Sequence, residues 1–164
     1  MNEQENARLE RLLEEVQKPA RYIGGEMNAV HKPWDSVRSR FAFCFPDTYD
    51  IAMSHLGMKI LYYLINERED ALCERVCMPD ADMADGMRRE KIPLFSLESR
   101  HALSNFDIVG FTLQYEMSYT NILEMLDLGG IPLEGKDRPE DAPFVVAGGP
   151  CAFNPEPLAM FFDA

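Results

Sequence analysis

The sequence has no apolar run approaching the roughly 18 residues that a bilayer-spanning helix requires, and its start lacks a basic segment followed by an apolar one. These absences argue against a membrane span and a secretory signal. Basic residues are also few: 16 Lys and Arg stand against 28 Asp and Glu, for a net charge of −12. Because nucleic acids and anionic membranes repel an acidic surface, we expect neither as a partner. We expect a cytoplasmic protein.

Cysteine is scarce and is not arranged for metal binding. Cys44 and Cys151 stand alone, and Cys73 and Cys77 form a C-x3-C pair without a second cluster. This is not a recognised zinc spacing, and free thiols are the default in a reducing compartment. The sequence also lacks a G-x-G-x-x-G fingerprint and a P-loop. No catalytic triad can be assembled, so we predict no catalytic and no metal-binding residue.

What the sequence does contain is a regular alternation of apolar runs and amphipathic segments. Continuous apolar runs are typical of strands buried on both faces, and apolar residues at three- and four-residue intervals are typical of helices. The patterns predict strands at 40–45, 71–77, 107–113 and 143–150, a minor strand at 94–96, and helices at 3–17, 54–66, 80–90, 98–105, 118–128 and 155–162. This alternation predicts an α/β fold of the Rossmann-like, flavodoxin-like kind: an open parallel sheet with helices on both faces.

The first 36 residues differ from the rest of the chain. They contain one short amphipathic helix and then an irregular connector with Gly24, Gly25, Pro33 and Trp34. We therefore divide the chain into an appendage, 1–36, and a Rossmann-like domain, 37–164. The last residues are apolar and have no polar tail, so we expect a piece of a longer protein.

In an open parallel sheet, ligands bind at the carboxyl ends of the strands. The loop after the first strand carries Asp47, Asp50, Ser54 and His55, with Gly57 at a helix start. A histidine in this position is either an acid–base or metal-binding group or simply a helix cap. Both interpretations remain open from the sequence.

Two other loops carry candidate binding residues. Gly148 and Gly149 follow the fourth strand, where glycine permits either the close approach of a flat ligand or only a tight turn. Tyr115 follows the third strand, where it either lines a pocket or packs in the core.

Taken together, these loops resemble the N-terminal part of the B12-binding radical SAM proteins. The matching segments are RYIGGE (21–26), FPDTYDIAMSHLG (45–57), ERV (74–76) with PD (79–80), GFTLQYE (110–116), VAGGP (146–150) and NPEP (154–157). The resemblance implies a cobalamin-binding-type domain that holds its cofactor against a following radical SAM domain. It further implies a 4Fe–4S cluster and S-adenosylmethionine in that second domain. The C-x3-C-x2-C motif that binds such a cluster is absent from this sequence. Cys73 and Cys77 have the first interval, but Asp80 stands where the third cysteine would be.

The resemblance also implies a set of cofactor-binding residues in this chain, with one departure. The family's cobalt-ligand motif is D-x-H-x-x-G, but here Met53 precedes His55 by two positions and Gly57 follows it by two. Cobalamin bound without a histidine on cobalt, and a degenerate domain without the cofactor, are therefore both open. The implied cofactor-binding residues are Asp47, Ser54, His55, Gly57, Thr112, Leu113, Tyr115, Gly148 and Gly149.

Three functions follow as hypotheses. The first is a cobalamin-binding-type domain that serves a radical SAM domain of the same parent chain. The second is a degenerate domain that only docks that radical SAM domain or another partner. The third is an independent small enzyme that uses His55 with Asp47 or Asp50.

Overall fold

A computed structural model describes Met1 and residues 3–164, and its centre is a four-stranded, all-parallel sheet. The strand order is β2-β1-β3-β4, and the register pairs Ser39 with Ala71, Phe41 with Ile108, and Ile108 with Phe144. The strands are β1 (Ser39–Phe45), β2 (Ala71–Cys77), β3 (Ile108–Thr112) and β4 (Phe144–Gly148). The predicted α/β class with a parallel, Rossmann-like sheet is confirmed.

In the described part of the chain, five α-helices flank this sheet. They are α1 (Glu3–Glu15), α2 (Tyr49–Ser54), α3 (Leu56–Asn66), α4 (Ala81–Glu90) and α5 (Tyr119–Leu128). Among the described residues, no helix is long and apolar enough to span a membrane.

The larger core lies on the face of the sheet that α1, α4 and α5 cover. Leu9 and Leu12 of α1 are fully or almost fully buried there, beside Met83 and Met87 of α4. The helix of the first 36 residues therefore shares the core of the sheet.

The opposite face is covered only in part. There α3 buries Met58 and Tyr62 against Phe43 of β1 and Cys73 of β2. No helix of the described chain covers the β3–β4 half of this face, and an open groove lies in its place.

Side chains and loops occupy the outer border of β2. The Asn66 carboxamide donates to the Cys73 carbonyl and accepts from the Cys73 N–H, both at 2.9 Å. Two residues further along, the Arg75 N–H donates to Glu98 at 2.8 Å and the Arg75 carbonyl accepts from Leu97 N–H at 2.9 Å. The Lys32 ammonium bonds the Ala71 carbonyl at 2.7 Å.

The strands and the larger helices lie where the sequence predicts them, but two short predicted helices do not form. In 98–105, Arg100 adopts a left-handed backbone conformation with φ 58°, and only Leu103–Asn105 forms a 3-10 turn. In 155–162 only Ala159–Phe161 is helical, again as a 3-10 turn. A six-residue helix, α2, was not predicted because it is too short to show a period. The minor strand at 94–96 is reduced to a single bridge between Phe95 and Ala102.

Candidate functional site

The strand order places a topological switch point between β1 and β3. From β1 the chain crosses to β2 on one side, whereas from β3 it crosses to β4 on the other. The loops after β1 and β3 therefore diverge and leave a crevice at the carboxyl edge. Two hydrogen bonds span it: the Tyr115 hydroxyl donates to Asp47 at 3.2 Å, and the Asn121 carboxamide donates to the Pro46 carbonyl at 2.9 Å.

Beside the switch point lies a groove of about 440 Å³ between α3 and the uncovered face of β3 and β4. Its lining is mostly apolar, with Phe41, Phe43 and Leu61 among the contributors. Five of the residues predicted from the sequence line it: His55, Gly57, Thr112, Gly148 and Gly149. The groove thus brings together residues from three separate segments of the chain.

The two glycines after β4 have different roles. At Gly149, φ is +117° and an added Cβ would lie 2.7 Å from the Leu113 carbonyl oxygen, so both the backbone conformation and the space require glycine. At Gly148, an added Cβ would meet nothing within 4 Å. Packing therefore does not require glycine at 148, but a side chain there would occupy the groove.

His55 caps α3. Its Nδ1 accepts a hydrogen bond from the Met58 N–H at 3.1 Å, and its ring centroid lies 5.2 Å from that of Phe45. A Cβ at Gly57 would approach the ring to 3.0 Å, so glycine at that position makes room for the cap. Because Nδ1 accepts, the proton of the neutral ring is on Nε2, which leaves Nε2 without a lone pair for a metal ion.

The other candidate residues of the first loop are engaged outside the groove. Asp47 accepts from the Thr48 N–H at 2.7 Å as well as from Tyr115, and Ser54 donates to the Ile51 carbonyl at 2.7 Å. Asp50 forms an ion pair with Arg21. None of these hydrogen bonds joins His55 to Asp47 or Asp50, as the small-enzyme hypothesis would need.

Leu113 and Tyr115 also lie apart from the groove. Leu113 is buried and lines a neighbouring cavity of about 290 Å³ with Ala147, Leu158 and Phe162. Tyr115 is 45% exposed at the edge. The negative charge of Asp47, together with the hydrogen bond to it, raises the pKa of the Tyr115 hydroxyl, because ionisation would place two negative charges side by side.

The polar groups at the groove are few and uncharged. At the end of the groove near the carboxyl end of β3, the Gln114 carboxamide donates to the Thr112 hydroxyl. No arginine or lysine is among the lining residues. Within the described residues, no group of three or more His, Cys, Asp or Glu side chains is placed to hold a metal ion. The groove therefore favours a mostly apolar, uncharged ligand over a compact anion.

The connector segment 21–26 closes the other side of the carboxyl edge, a role that sequence reasoning missed. Arg21 bridges Asp50, after β1, and Asp80, after β2. The Tyr22 hydroxyl accepts from the Asp80 N–H at 3.0 Å, and burial raises its pKa to about 12. With the β2 side closed in this way, the edge is open toward β3 and β4.

Comparisons with known proteins identify a family for this chain. Residues 57–164, more than half of the chain, match the family described as radical SAM proteins, N-terminal. Over 75 residues the chain is 36% identical to the uncharacterized protein MJ0966 of Methanocaldococcus jannaschii. That match covers 44% of this chain but only 15% of the archaeal protein, so the chain spans a small part of that relative.

No solved structure matches the chain. The radical SAM part of the resemblance is confirmed by the family match, whereas cobalamin binding stays a prediction. The chain belongs to the family of N-terminal regions of radical SAM proteins.

Proposed function

We propose that this chain is the ligand-binding N-terminal domain of a radical SAM protein, and that its groove binds a cofactor of the cobalamin class. The observation that carries the proposal is the convergence of His55, Thr112 and the Gly148–Gly149 turn on one groove at the switch point. Ligands of open parallel sheets bind at such points. The volume of about 440 Å³ is within the usual range of small-molecule sites, roughly 300–1,000 Å³, and would take one part of a cobalamin, the rest of which would extend over the open carboxyl edge.

The residues that line the groove suit a cobalamin, but His55 is not placed to bind its cobalt. The apolar lining and the open space above Gly148 suit a flat, weakly polar group. His55 does not suit cobalt ligation, because its Nδ1 is committed to the Met58 N–H. We therefore propose binding without a histidine–cobalt bond. When bound, a cobalamin would supply an organometallic cobalt centre, and this chain's residues would hold and orient it.

The partner that we propose is the radical SAM domain of the same parent protein, with its 4Fe–4S cluster and S-adenosylmethionine. The family description sets this region N-terminal in radical SAM proteins. Met117, 81% exposed, and Tyr115 lie on the loop after β3, where a domain reaching the cofactor edge would make contact. In this proposal the catalytic chemistry belongs to the partner domain.

A second candidate function is docking without a cofactor. The specific observation in its favour is the capping role of His55, which removes the side chain that the resemblance would place on cobalt. In that case the groove would receive an apolar segment of the radical SAM domain.

The test is a titration of the purified chain with hydroxocobalamin, followed by visible absorbance. We expect a saturable spectral change. Gly148→Val should weaken binding at least about tenfold, because the new side chain enters the groove without a steric conflict in the fold. His55→Ala should keep the affinity within about twofold while it lowers the free energy of unfolding by about 1 kcal/mol, the usual effect of losing a helix cap.

Three results would contradict the proposal. A flat titration with both the chain and the full-length parent protein would rule out the cofactor and favour docking. Loss of the spectral change in a folded His55→Ala variant would show that this histidine binds cobalt after all. Gly148→Val with unchanged affinity would place the ligand outside the groove.

A further inference from the structure

The outer face of α3 carries a row of exposed apolar residues. Met58 and Tyr62 face the sheet, whereas Leu56, Ile60 and Leu64 point away from it and are 68%, 50% and 54% exposed. A helix on the surface of a globular protein normally presents charged and polar residues to water. An exposed apolar strip of this kind marks an interaction surface.

Two charged residues frame this strip. Lys59 lies near its start and Glu67 at the cap of its C-terminal end, eight positions and roughly 12 Å apart along the helix, with Tyr63 midway. Within the described residues neither charge forms an ion pair, although the adjacent Arg68 is paired with Asp70. The strip is therefore positive toward one end and negative at the other.

Two copies of this strip are complementary in charge when one copy is rotated by 180° relative to the other. A twofold axis near Tyr63 would set two copies of α3 antiparallel, with Lys59 of each copy opposite Glu67 of the other. The interface then contains two Lys59–Glu67 ion pairs related by the twofold axis, as an isologous interface requires. A parallel arrangement would instead place like charges together, which opposes association.

We propose that the outer face of α3 is an interface with a second copy of this chain. The apolar strip supplies the contact, and the two Lys59–Glu67 pairs select the antiparallel orientation. The interface leaves the groove free, because the groove is bordered by Leu61 and Ile65 on another side of α3. The proposal thus stands independently of cofactor binding.

The size of the surface sets the expected strength. One pair of short helices buries less than the roughly 800 Å² per partner of a standard interface. We therefore expect a reversible dimer with a dissociation constant in the micromolar range. The net charge of −12 on each chain opposes association at low ionic strength, so the measurement belongs at about 0.15 M salt, where the Debye length is about 8 Å.

The test is sedimentation equilibrium of the chain and a charge-exchange series. Lys59→Glu alone and Glu67→Lys alone should each weaken dimerisation about tenfold, since each change opposes like charges at two places. The double variant K59E/E67K restores both pairs with reversed sign and should return the dissociation constant to within about twofold of the original. Ile60→Glu should abolish the dimer.

A matched control is Met117→Glu, which adds a charge at a more exposed apolar residue outside α3 and should leave the dimer intact. Circular dichroism and thermal melts confirm that each variant is folded. A chain that stays monomeric up to about 1 mM, a concentration at which only interactions weaker than about 4 kcal/mol escape detection, would overturn the proposal. So would a double variant as weak as the single ones, or a dimer that Met117→Glu disrupts.

Discussion

Trp34, the single tryptophan, is held from three sides although it lies in an irregular connector. The His101 ring is stacked on it at 3.7 Å between centroids, Phe106 meets it edge-on at 5.0 Å, and the Arg40 guanidinium lies 5.1 Å above it. Burial lowers the pKa of His101 from its ordinary value of 6.5, an effect that the nearby Glu74 carboxylate opposes and does not overcome. The lowered pKa of His101 favours the neutral imidazole in the folded chain.

Lowering the pH should therefore weaken the fold at this point. Because the folded pKa of His101 is below 6.5, the unfolded chain binds more protons there, and this contribution to stability is lost as the pH falls below about 6.5. We expect Trp34 fluorescence to change with a midpoint below 6.5 and the free energy of unfolding to fall in the same range. His101→Gln should remove both changes, and a midpoint above 6.5 would contradict the expectation.

The Gly148–Gly149 turn allows a matched comparison at two adjacent residues. Gly149→Ala places a Cβ 2.7 Å from a carbonyl oxygen at φ +117° and should lower the free energy of unfolding by about 1–3 kcal/mol. Gly148→Ala meets no neighbour and should leave stability unchanged or raise it by up to about 1 kcal/mol. Urea denaturation measures both, and equal effects would show that the turn does not require glycine at 149.

At the scale of elements, α1 packs closely on α4. Gly86 of α4 faces Leu12 of α1 so closely that an added Cβ would lie 2.2 Å from a Leu12 methyl carbon. A glycine inside a helix is unfavourable by about 1 kcal/mol relative to alanine, so the contact with α1 explains why it is tolerated here. The N-terminal helix is therefore fitted to this position and not merely attached.

A double-mutant cycle tests this fit. Leu12→Ala should lower the free energy of unfolding by about 2–5 kcal/mol, because it leaves a cavity in the core. Gly86→Ala should destabilise the native chain but stabilise the Leu12→Ala variant by up to about 1 kcal/mol, since the smaller residue makes room for a methyl group. Additive effects in urea denaturation would show that the two helices do not meet at this point.

At the scale of the whole molecule, the sheet was predictable and the site only in part. Apolar runs mark β1, β3 and β4, and β2 begins and ends where predicted. The groove depends on strand order and on which half of a face is left uncovered, and neither is encoded in a local pattern. Local hydrogen bonds also hold two predicted site residues outside the groove. Ser54 donates to a carbonyl of its own helix, and Asp47 accepts from Thr48 and Tyr115.

The backbone groups along the outer border of β2 have one more consequence. An open sheet usually ends in a strand whose unpaired N–H and C=O groups can recruit another chain, and this is a common route to aggregates and fibrils. Here the Asn66 carboxamide meets both groups of Cys73 as a neighbouring strand would, and Glu98, Leu97 and Lys32 occupy the groups beside it. The outer side of β2 therefore offers another chain no row of unpaired backbone groups at Ala71, Cys73 and Arg75, which opposes cross-β growth from this border.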